Sequence, residues 1–318
     1  ALWLYETNLT SIDLSKNTKL YNVDLDNTGI TTIDLSNLKD LTVFGARCTQ
    51  LTSLDLSKNT KLENVYFTDS KVSSLKLPTS APLKVFDASF NKLSGKLDFS
   101  AFDTLEDLSL DVNELTEVVV GTQNNLYSLG LSTNKLTKID VSKCPNIALL
   151  WLNENNISDV DISKNTEFIA FAASFNPIKK IDFSKNVNLE MISLYGCELT
   201  DIDVSMLTKL DSLSVTENNL TKLDISKNTK LNCLYVDVND LTSVDISNCP
   251  NLVQVVKNST PEYAGVDKYY ELIGTLTADM NIVDGIVPYW TYTNNDNSLM
   301  VMVSPDTDLV IDGVTKSN

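Results

Sequence analysis

The sequence predicts a β-rich solenoid, in which short repeats stack on one another and share one hydrophobic core. Three observations predict it. An eleven-residue motif of the form L-x-x-L-x-L-x-x-N-x-L recurs along the chain, as in LNCLYVDVNDL at residues 231–241. Its last apolar position returns every 21 residues, with a single spacing of 22. The 318 residues are 42% hydrophobic, which suits a large core, yet a repeat this short buries its apolar face only by stacking on its neighbours.

The repeats can be counted from that last apolar position. There are twelve, the first of them truncated, and they end at Leu9, Ile30, Leu51, Val72, Leu93, Leu115, Leu136, Ile157, Ile178, Leu199, Leu220 and Leu241. The longer spacing lies between Leu93 and Leu115. We number the eleven motif positions as slots one to eleven.

Each repeat is predicted to contain two short strands. The first half carries one of them, as at Leu234-Tyr235-Val236. The second half reads T-x-[LIV]-D-[LIV]-S-K-N-T, and its alternation at Leu54-Asp55-Leu56 is typical of a strand with one buried face.

Two sets of repeated polar residues are interpreted as structural. Slot nine holds a ladder of asparagines whose amides can bond backbone groups left free at the end of the strand: Asn91, Asn113, Asn134, Asn155, Asn176, Asn218 and Asn239. The second strand carries an aspartate that is followed by a serine two residues later, a spacing suited to hydrogen bonding in a turn. These aspartates are Asp13, Asp34, Asp55, Asp98, Asp140, Asp161, Asp182, Asp203, Asp224 and Asp245.

Over residues 1–256 the repeats resemble those of bacterial leucine-rich repeat proteins of the short-repeat, internalin-like kind. The resemblance implies an α/β-type leucine-rich repeat solenoid, β-rich and curved into a horseshoe or right-handed superhelix. Its parallel strands would line the concave side, with short strands and turns on the convex side. It also implies export to the cell surface or the medium, and protein binding on the concave side. Because the chain opens inside a repeat, we expect that preceding sequence, with any anchor, is missing.

The repeat pattern decays after Leu252, so residues 257–318 are predicted to form a separate capping segment. A solenoid end exposes apolar core and has to be covered. The stretches IVPYWTYT and SLMVMVS, joined by the turn at residues 294–297, predict a β-hairpin in this cap.

Composition excludes several classes of function. The chain has 25 basic and 42 acidic residues, a formal charge of -17, and no histidine. The acid excess argues against a nucleic acid or anionic membrane partner. The lack of histidine removes the usual catalytic pairs and metal ligands, and the five cysteines include no Cys-x-x-Cys motif. No apolar run is long enough to span a bilayer. We therefore expect a non-enzymatic protein without a cofactor or bound metal.

Slots three, five, seven and eight are expected to project from the concave strands. They hold ten acids and one base, Arg47, which is the only arginine in the chain. The acids are Glu6, Asp24, Asp26, Asp69, Asp87, Asp107, Asp111, Glu154, Glu217 and Asp237. Their slots vary between repeats, which favours a functional over a ladder role. An acidic concave surface attracts a basic partner.

Aromatic residues occupy outward slots where the pattern needs no apolar group, and exposed Trp and Tyr are frequent in binding hot spots. Trp151, Asn153, Leu149, Met191 and Tyr195 are predicted to cluster around a floor of Ala172 and Ser174. In contrast, Phe90 and Phe175 at slot eight are expected to lean into the core edge.

These observations predict a monomeric scaffold that binds a basic protein or peptide, whose charge complements the acids. The predicted contact residues are Trp151, Asn153, Glu154, Tyr195, Met191, Tyr235, Asp237, Tyr66, Asp87, Asp111, Asp24 and Asp26. The alternative is a carbohydrate-binding adhesion module, in which Trp151, Tyr195 and Tyr235 stack on sugar rings. A third interpretation is a spacer or stalk without a defined site.

Overall fold

A computed structural model describes residues 1–78 and 80–252, together with the backbone of five later strands. All the regular elements in this part of the chain are strands. The chain divides into two compact units, Ala1–Glu167 and Phe168–Asn318.

The first unit contains twelve strands. In chain order they are β1 (Leu2–Trp3), β2 (Asn22–Asp24), β3 (Val43–Gly45), β4 (Ser53–Asp55), β5 (Asn64–Tyr66), β6 (Ser74–Lys76), β7 (Val85–Asp87), β8 (Ser94–Asp98), β9 (Asp107–Ser109), β10 (Glu114–Val119), β11 (Ser128–Gly130) and β12 (Leu149–Trp151). The first-half strands form one parallel sheet in the order β1-β2-β3-β5-β7-β9-β11-β12. The second-half strands pair as β4 with β6 and β8 with β10, also in parallel. The prediction of a second strand in every repeat is wrong for residues 10–19, 31–40, 137–146 and 158–167, which contain turns and no strand.

The second unit continues the same plan. Its strands are β13 (Ala170–Ala172), β14 (Met191–Ser193), β15 (Ser212–Ser214), β16 (Cys233–Tyr235), β17 (Ser243–Asp245), β18 (Gln254–Lys257), β19 (Glu271–Ile273), β20 (Asn281–Asp284), β21 (Leu309–Ile311) and β22 (Val314–Lys316). The parallel sheet runs β13-β14-β15-β16-β18-β20, and β17 pairs with β19. The last two strands form an antiparallel pair.

The predicted stack of parallel strands is confirmed, and its register follows the repeat. Val65 on β5 lies opposite Phe86 on β7, one repeat later. The boundary predicted at residue 256 stays a prediction. Beyond it, β18 pairs with β16 and β20 pairs with β18, so parallel pairing extends to Asp284. The hairpin predicted around residues 294–297 lies outside the described residues.

The core lies between the first half and the second half of each repeat. From the third repeat to the twelfth, slots one, four, six and eleven are buried, as shown by Leu62, Val65, Phe67 and Val72, which are fully inaccessible to solvent. Phenyl rings also bridge neighbouring repeats in the first unit, where Phe67 and Phe86 meet edge to face with centroids 5.7 Å apart. Because apolar burial is the main force in folding, each repeat depends on the next one for its stability.

The extra residue of the longest repeat lies in its second half. Gly95 adopts a positive φ of 74°, a conformation that suits glycine. The pairing of β8 with β10 shifts register between Leu115 and Glu117. The extra residue of this repeat therefore lies in the second half, near the Leu-Ser-Gly sequence, and leaves the first-half sheet regular.

The slot-nine asparagines bond the backbone of two successive repeats. Asn155 is typical: its Nδ2 donates to the carbonyls of Leu131 (2.9 Å) and Leu152 (3.0 Å), and its Oδ1 accepts from the Leu136 N–H (2.9 Å). The earliest repeats use hydroxyls instead, and Thr28 Oγ1 donates to the Leu25 carbonyl at 2.7 Å.

A second row of buried amides was not predicted from the sequence. It comes from the asparagine of the S-K-N turn, and Asn59 Nδ2 donates to the carbonyls of Leu35 and Leu38, each at 2.9 Å. Asn228 repeats this arrangement with Val204 and Leu207. The recurrence of S-K-N at a fixed position was the available signal.

The repeated aspartates stabilise the turns of the second half. In each of them a carboxylate oxygen accepts the backbone N–H of the serine two residues later, as between Ser163 and Asp161 at 2.9 Å. Hydrogen bonding from the side chain and then the backbone N–H of Ser163 lowers the pKa of Asp161. All five cysteines, for which no bondable pair is apparent in the sequence, are free thiols.

Candidate binding surface

The solvent-facing side of the first-half sheet is the surface predicted to bind. In β5, Val65 points into the core while Asn64 and Tyr66 stay partly exposed. The same pattern is found in β2, β7, β9, β12, β14, β15 and β16. We call the side formed by slots three, five, seven and eight the strand face.

Slot eight has a left-handed backbone in every repeat, which the sequence did not reveal. The residues with this conformation include Glu6, Asn27, Cys48, Asp69, Phe90, Val112, Thr133, Glu154, Phe175, Gly196, Glu217 and Val238, with φ between 51° and 62°. Only Gly and Asn adopt it readily, so most of these residues are strained. This turn directs the slot-eight side chains away from the core and onto the strand face.

In the first unit, the one base of the strand face is already paired. The Arg47 guanidinium lies 3.5 Å from Asp26 Oδ2, and its carbon lies 4.6 Å from the centroid of the Tyr66 ring. The Arg47 N–H also donates to Asp26 Oδ1 at 2.7 Å. The adjacent Asp24 accepts the Asp26 N–H at 3.0 Å. Asp26 and Tyr66 are therefore already in contact with Arg47. Because Arg47 is paired with Asp26, it does little to neutralise the other acids of the strand face.

A few repeats further on, unneutralised acids surround an open depression of about 530 Å³. The residues that line it are Thr68, Asp69, Asp87, Ser89, Phe90, Ser109 and Asp111. Burial, together with the charges of Asp87 and Asp111, raises the pKa of nearby Asp107. Burial, reinforced by Asp87, also raises the pKa of Asp111. The region is thus a site of concentrated negative charge where a cation is favoured.

The expectation that no ladder role explains the acids is wrong for Asp26 and Asp111. Asp111 Oδ1 accepts the Ser132 N–H at 2.6 Å, which repeats the contact between Asp26 and Arg47. Each acid leans over a glycine in the next repeat, Gly130 or Gly45, where a Cβ atom would meet the carboxylate. These two acids therefore have a structural role in addition to their charge.

The remaining predicted residues of the first unit lie at its end. Trp151 is partly exposed on β12, beside Gly130 in the sheet register. Asn153 is also partly exposed, whereas Glu154 is fully exposed and accepts a 3.3 Å hydrogen bond from Thr133 Oγ1. Met191 and Tyr195 belong to the second unit, so the cluster predicted to join them with Trp151 stays a prediction.

Within the second unit, Tyr195 packs against Phe175, with ring centroids 4.6 Å apart. The Tyr195 N–H donates to Ser174 Oγ at 3.1 Å, and Ser174 itself is fully buried. Phe175 is 38% exposed and Phe90 is 56% exposed, so the expectation that both lean into the core edge is wrong. Their left-handed backbone explains the difference, because it turns the side chains outward.

Near the end of the described repeats, Asp237 is nearly inaccessible to solvent, at 2% exposure. Thr216 Oγ1 donates to its carboxylate at 2.5 Å, and burial raises the pKa of Asp237 to about 6. Tyr235 stays partly exposed on β16. Asp237 is thus less accessible to a partner than its slot suggests.

No group of three or more acidic or cysteine side chains in the described residues is arranged to hold a metal ion. Among the same residues, no helix is long and apolar enough to cross a membrane.

Comparison with solved structures identifies the architecture. An internalin, InlF from Listeria monocytogenes, superposes with a TM-score of 0.70 at 20% identity, over 90% of this chain and 86% of that one. The functional domain of InlJ from the same species gives 0.59 at 24% identity, over 95% and 76%. The chain has the leucine-rich repeat fold. The resemblance seen in the sequence is confirmed at the level of the fold.

A receptor ectodomain has the same fold. The ectodomain of the Arabidopsis thaliana receptor kinase GASSHO1/SCHENGEN3, solved in complex with CASPARIAN STRIP INTEGRITY FACTOR 2, matches with a TM-score of 0.70. The identity is 20%, and the match covers 90% of this chain and 41% of the receptor ectodomain. No protein-family model matches the sequence, and no curated protein matches it significantly.

Proposed function

We propose that this chain is a non-enzymatic, exported scaffold that binds a basic protein or peptide on its strand face. The observation that carries the proposal is the charge of that face in the first unit. Its single base, Arg47, is paired with Asp26, while Asp69, Asp87 and Asp107 have no basic neighbour among the ion pairs of the described residues. A field of one sign steers and holds a partner of the opposite sign.

The fold supports the same function. The receptor ectodomain that this chain resembles was solved with a bound factor, and the open leucine-rich repeat stack offers a long surface instead of a closed catalytic pocket. Export to the cell surface or the medium is part of the proposal and is motivated by the resemblance to internalins.

The test compares two variants with the same change in net charge. The first replaces strand-face acids (Asp24→Asn, Asp87→Asn and Glu154→Gln). The second replaces aspartates of the second-half turns (Asp161→Asn, Asp203→Asn and Asp224→Asn). The amide oxygen of Asn can still accept the turn hydrogen bond. Both change the formal charge from -17 to -14. Labelled protein is bound to cell surfaces at several salt concentrations, before and after protease treatment.

We expect binding that falls steeply with salt, is lost after protease treatment and is weakened by the strand-face variant alone. Equal weakening in the two variants would mean that overall charge, rather than this face, controls binding. Binding that does not respond to salt would contradict an acidic docking surface.

A carbohydrate-binding function is the second candidate, because aromatic rings are exposed on the strand face. Phe175 and Tyr195 form an edge-to-face pair, and Trp151 stays partly exposed. Such rings can stack on sugars. This function predicts binding that survives protease treatment, is lost after periodate oxidation and changes little with salt. Tyr195→Ala and Trp151→Ala would then abolish binding, while the strand-face charge variant would retain it.

A further inference from the structure

The acidic depression of the first unit has the composition of a site for one long cationic side chain. Three carboxylates, those of Asp69, Asp87 and Asp111, line its wall, and the ring of Phe90 lies at its edge with 56% of the residue exposed. The volume of about 530 Å³ lies in the range of small-ligand sites.

Ser89 supplies an independent observation that points to a ligand. The residue lines the depression and is only 6% exposed, yet its Oγ has no hydrogen-bond partner within the described chain. Its backbone N–H is satisfied by Asp87 Oδ1 at 3.1 Å. Buried hydroxyls in folded proteins nearly always have a partner, so this exception needs an explanation. A donor group of a ligand in the depression provides one.

The chemistry of the lining selects the class of ligand. Asp87, Ser89 and Asp111 offer oxygen acceptors on several sides, and no base on this part of the strand face competes for them. A guanidinium group has five N–H donors in one plane and stacks on aromatic faces, which suits both the oxygens and the Phe90 ring. The acidic side chains of the described residues form no metal-binding group, which favours an organic cation.

We propose that this depression binds the guanidinium group of an arginine in the partner. Asp87 and Asp111 accept its N–H groups, and Phe90 covers a face of the planar group. Ser89 Oγ is buried without a ligand and accepts a further N–H when its side chain rotates toward the depression. The inference rests on the proposed function, since it assigns one residue of the basic partner to one place on the strand face.

The experiment measures fluorescence anisotropy with three labelled peptides of otherwise identical Gly/Ser-rich sequence. They carry arginine, lysine or citrulline at the same positions, and citrulline is a neutral analogue of arginine. The protein is used as wild type and as Ser89→Ala, Asp87→Asn and Asp161→Asn. Asp161 lies in a second-half turn, outside the strand face, and its replacement changes the charge as Asp87→Asn does while the Asn oxygen can still accept the Ser163 N–H, so it is the matched control. Urea unfolding of each variant shows that it remains folded.

We expect the arginine peptide to bind about five- to tenfold more tightly than the lysine peptide, and the citrulline peptide not to bind. Ser89→Ala should weaken arginine binding at least about threefold without a loss of stability, because its hydroxyl makes no bond within the described chain. Asp87→Asn should weaken it about tenfold, and Asp161→Asn less than about twofold.

Two other outcomes are distinguishable. If arginine and lysine peptides bind equally and all three variants retain or lose the same affinity, the subsite is overturned, while the proposed basic partner survives. If wild-type protein binds neither cationic peptide even at low salt, the proposed function fails together with the subsite.

Discussion

A single buried amide connects neighbouring repeats, and Asn155 shows how. Its Nδ2 bonds the carbonyls of Leu131 and Leu152, and its Oδ1 bonds the Leu136 N–H. Asn155→Ala removes the acceptor of the buried Leu136 N–H, while the Leu131 carbonyl keeps its bond from Asn134, so the cost is about 1–3 kcal/mol for the group left unsatisfied. We expect the free energy of unfolding in urea to fall by at least that amount. Asn156→Ala is the control, because Asn156 is exposed and bonds Leu136 through its backbone. Equal losses in the two variants would contradict the ladder role.

Asp237 makes stability depend on pH in the opposite direction from the turn aspartates. Burial raises its pKa to about 6 in the folded protein, above the ordinary value of 3.8. Between pH 4 and pH 6 the folded state therefore binds more protons than the unfolded state, and the stability from this group falls as the pH rises. The turn aspartates, whose pKa is lowered, lose their stabilising effect only as the pH falls below about 4.

Asp237→Asn removes this titration and can still accept the Thr216 hydrogen bond. We expect the variant and wild type to have similar unfolding free energies at pH 4. At pH 7 the variant should be more stable by about 2–3 kcal/mol, since each pKa unit is worth about 1.4 kcal/mol. Urea unfolding across this pH range measures the difference. A constant difference at every pH would show that Asp237 does not titrate as its burial implies.

At the scale of one strand, glycine and aspartate act as a pair across two repeats. Asp111 occupies the space above Gly130 and bonds the Ser132 N–H. Gly130→Ala places a Cβ against the carboxylate, so we expect Asp111 to be displaced and about 1–2 kcal/mol to be lost. In an Asp111→Ala background the clash with the carboxylate is absent and only a tight contact with Ser109 Oγ at 3.0 Å remains. Gly130→Ala should then cost much less, because the hydroxyl can turn away and alanine is less flexible in the unfolded state.

A double-mutant cycle in urea measures this coupling. The same substitution at Gly45 is a milder comparison, because its Cβ would lie 3.2 Å from Asp26 Oδ1. If Gly130→Ala costs the same in both backgrounds, Asp111 is not the group that requires glycine.

The repeat period was sufficient to predict the first-half strands, because most first halves place one buried residue between two partly exposed ones. It was not sufficient for the second halves, since the described repeats have a second-half strand only at β4, β6, β8, β10 and β17. It was not sufficient for slot eight. Val112 and Phe90 are poor candidates for a left-handed backbone, yet the fold imposes it on both. Only Asn27 and Gly196 hinted at this conformation in the sequence, and two residues among twelve slots are a weak signal.

The sequence was sufficient to predict which residue types lie on the candidate surface, but not which of them are already paired with other residues of the chain. Counting charges by slot placed the acids on one face, whereas the pairing of Arg47 with Asp26 depends on contacts between repeats that single-slot reasoning does not contain. The depression around Ser89 was also missed, since serine in slot seven looks unremarkable until its burial is known.

For the whole molecule, the formal charge of -17 predicts that salt stabilises the fold. Repeats stack at about 4.8 Å, so acids in equivalent positions repel one another well within the Debye length of about 10 Å at 0.1 M salt. This repulsion is present between Asp34 and both Asp13 and Asp55. The ion pairs, such as Lys61 with Asp40 at 2.8 Å, lie at the surface, where each contributes little.

We therefore expect the thermal midpoint to rise by about 2–4 °C when NaCl increases from about 0.02 to 0.5 M, which corresponds to about 1 kcal/mol of relieved repulsion. NaCl is preferred to sulfate, because sulfate strengthens apolar burial by itself. The variant with Asp161→Asn, Asp203→Asn and Asp224→Asn removes charges from one row and should show a smaller rise. A midpoint that falls with salt would mean that the surface ion pairs outweigh the repulsion, since screening weakens both.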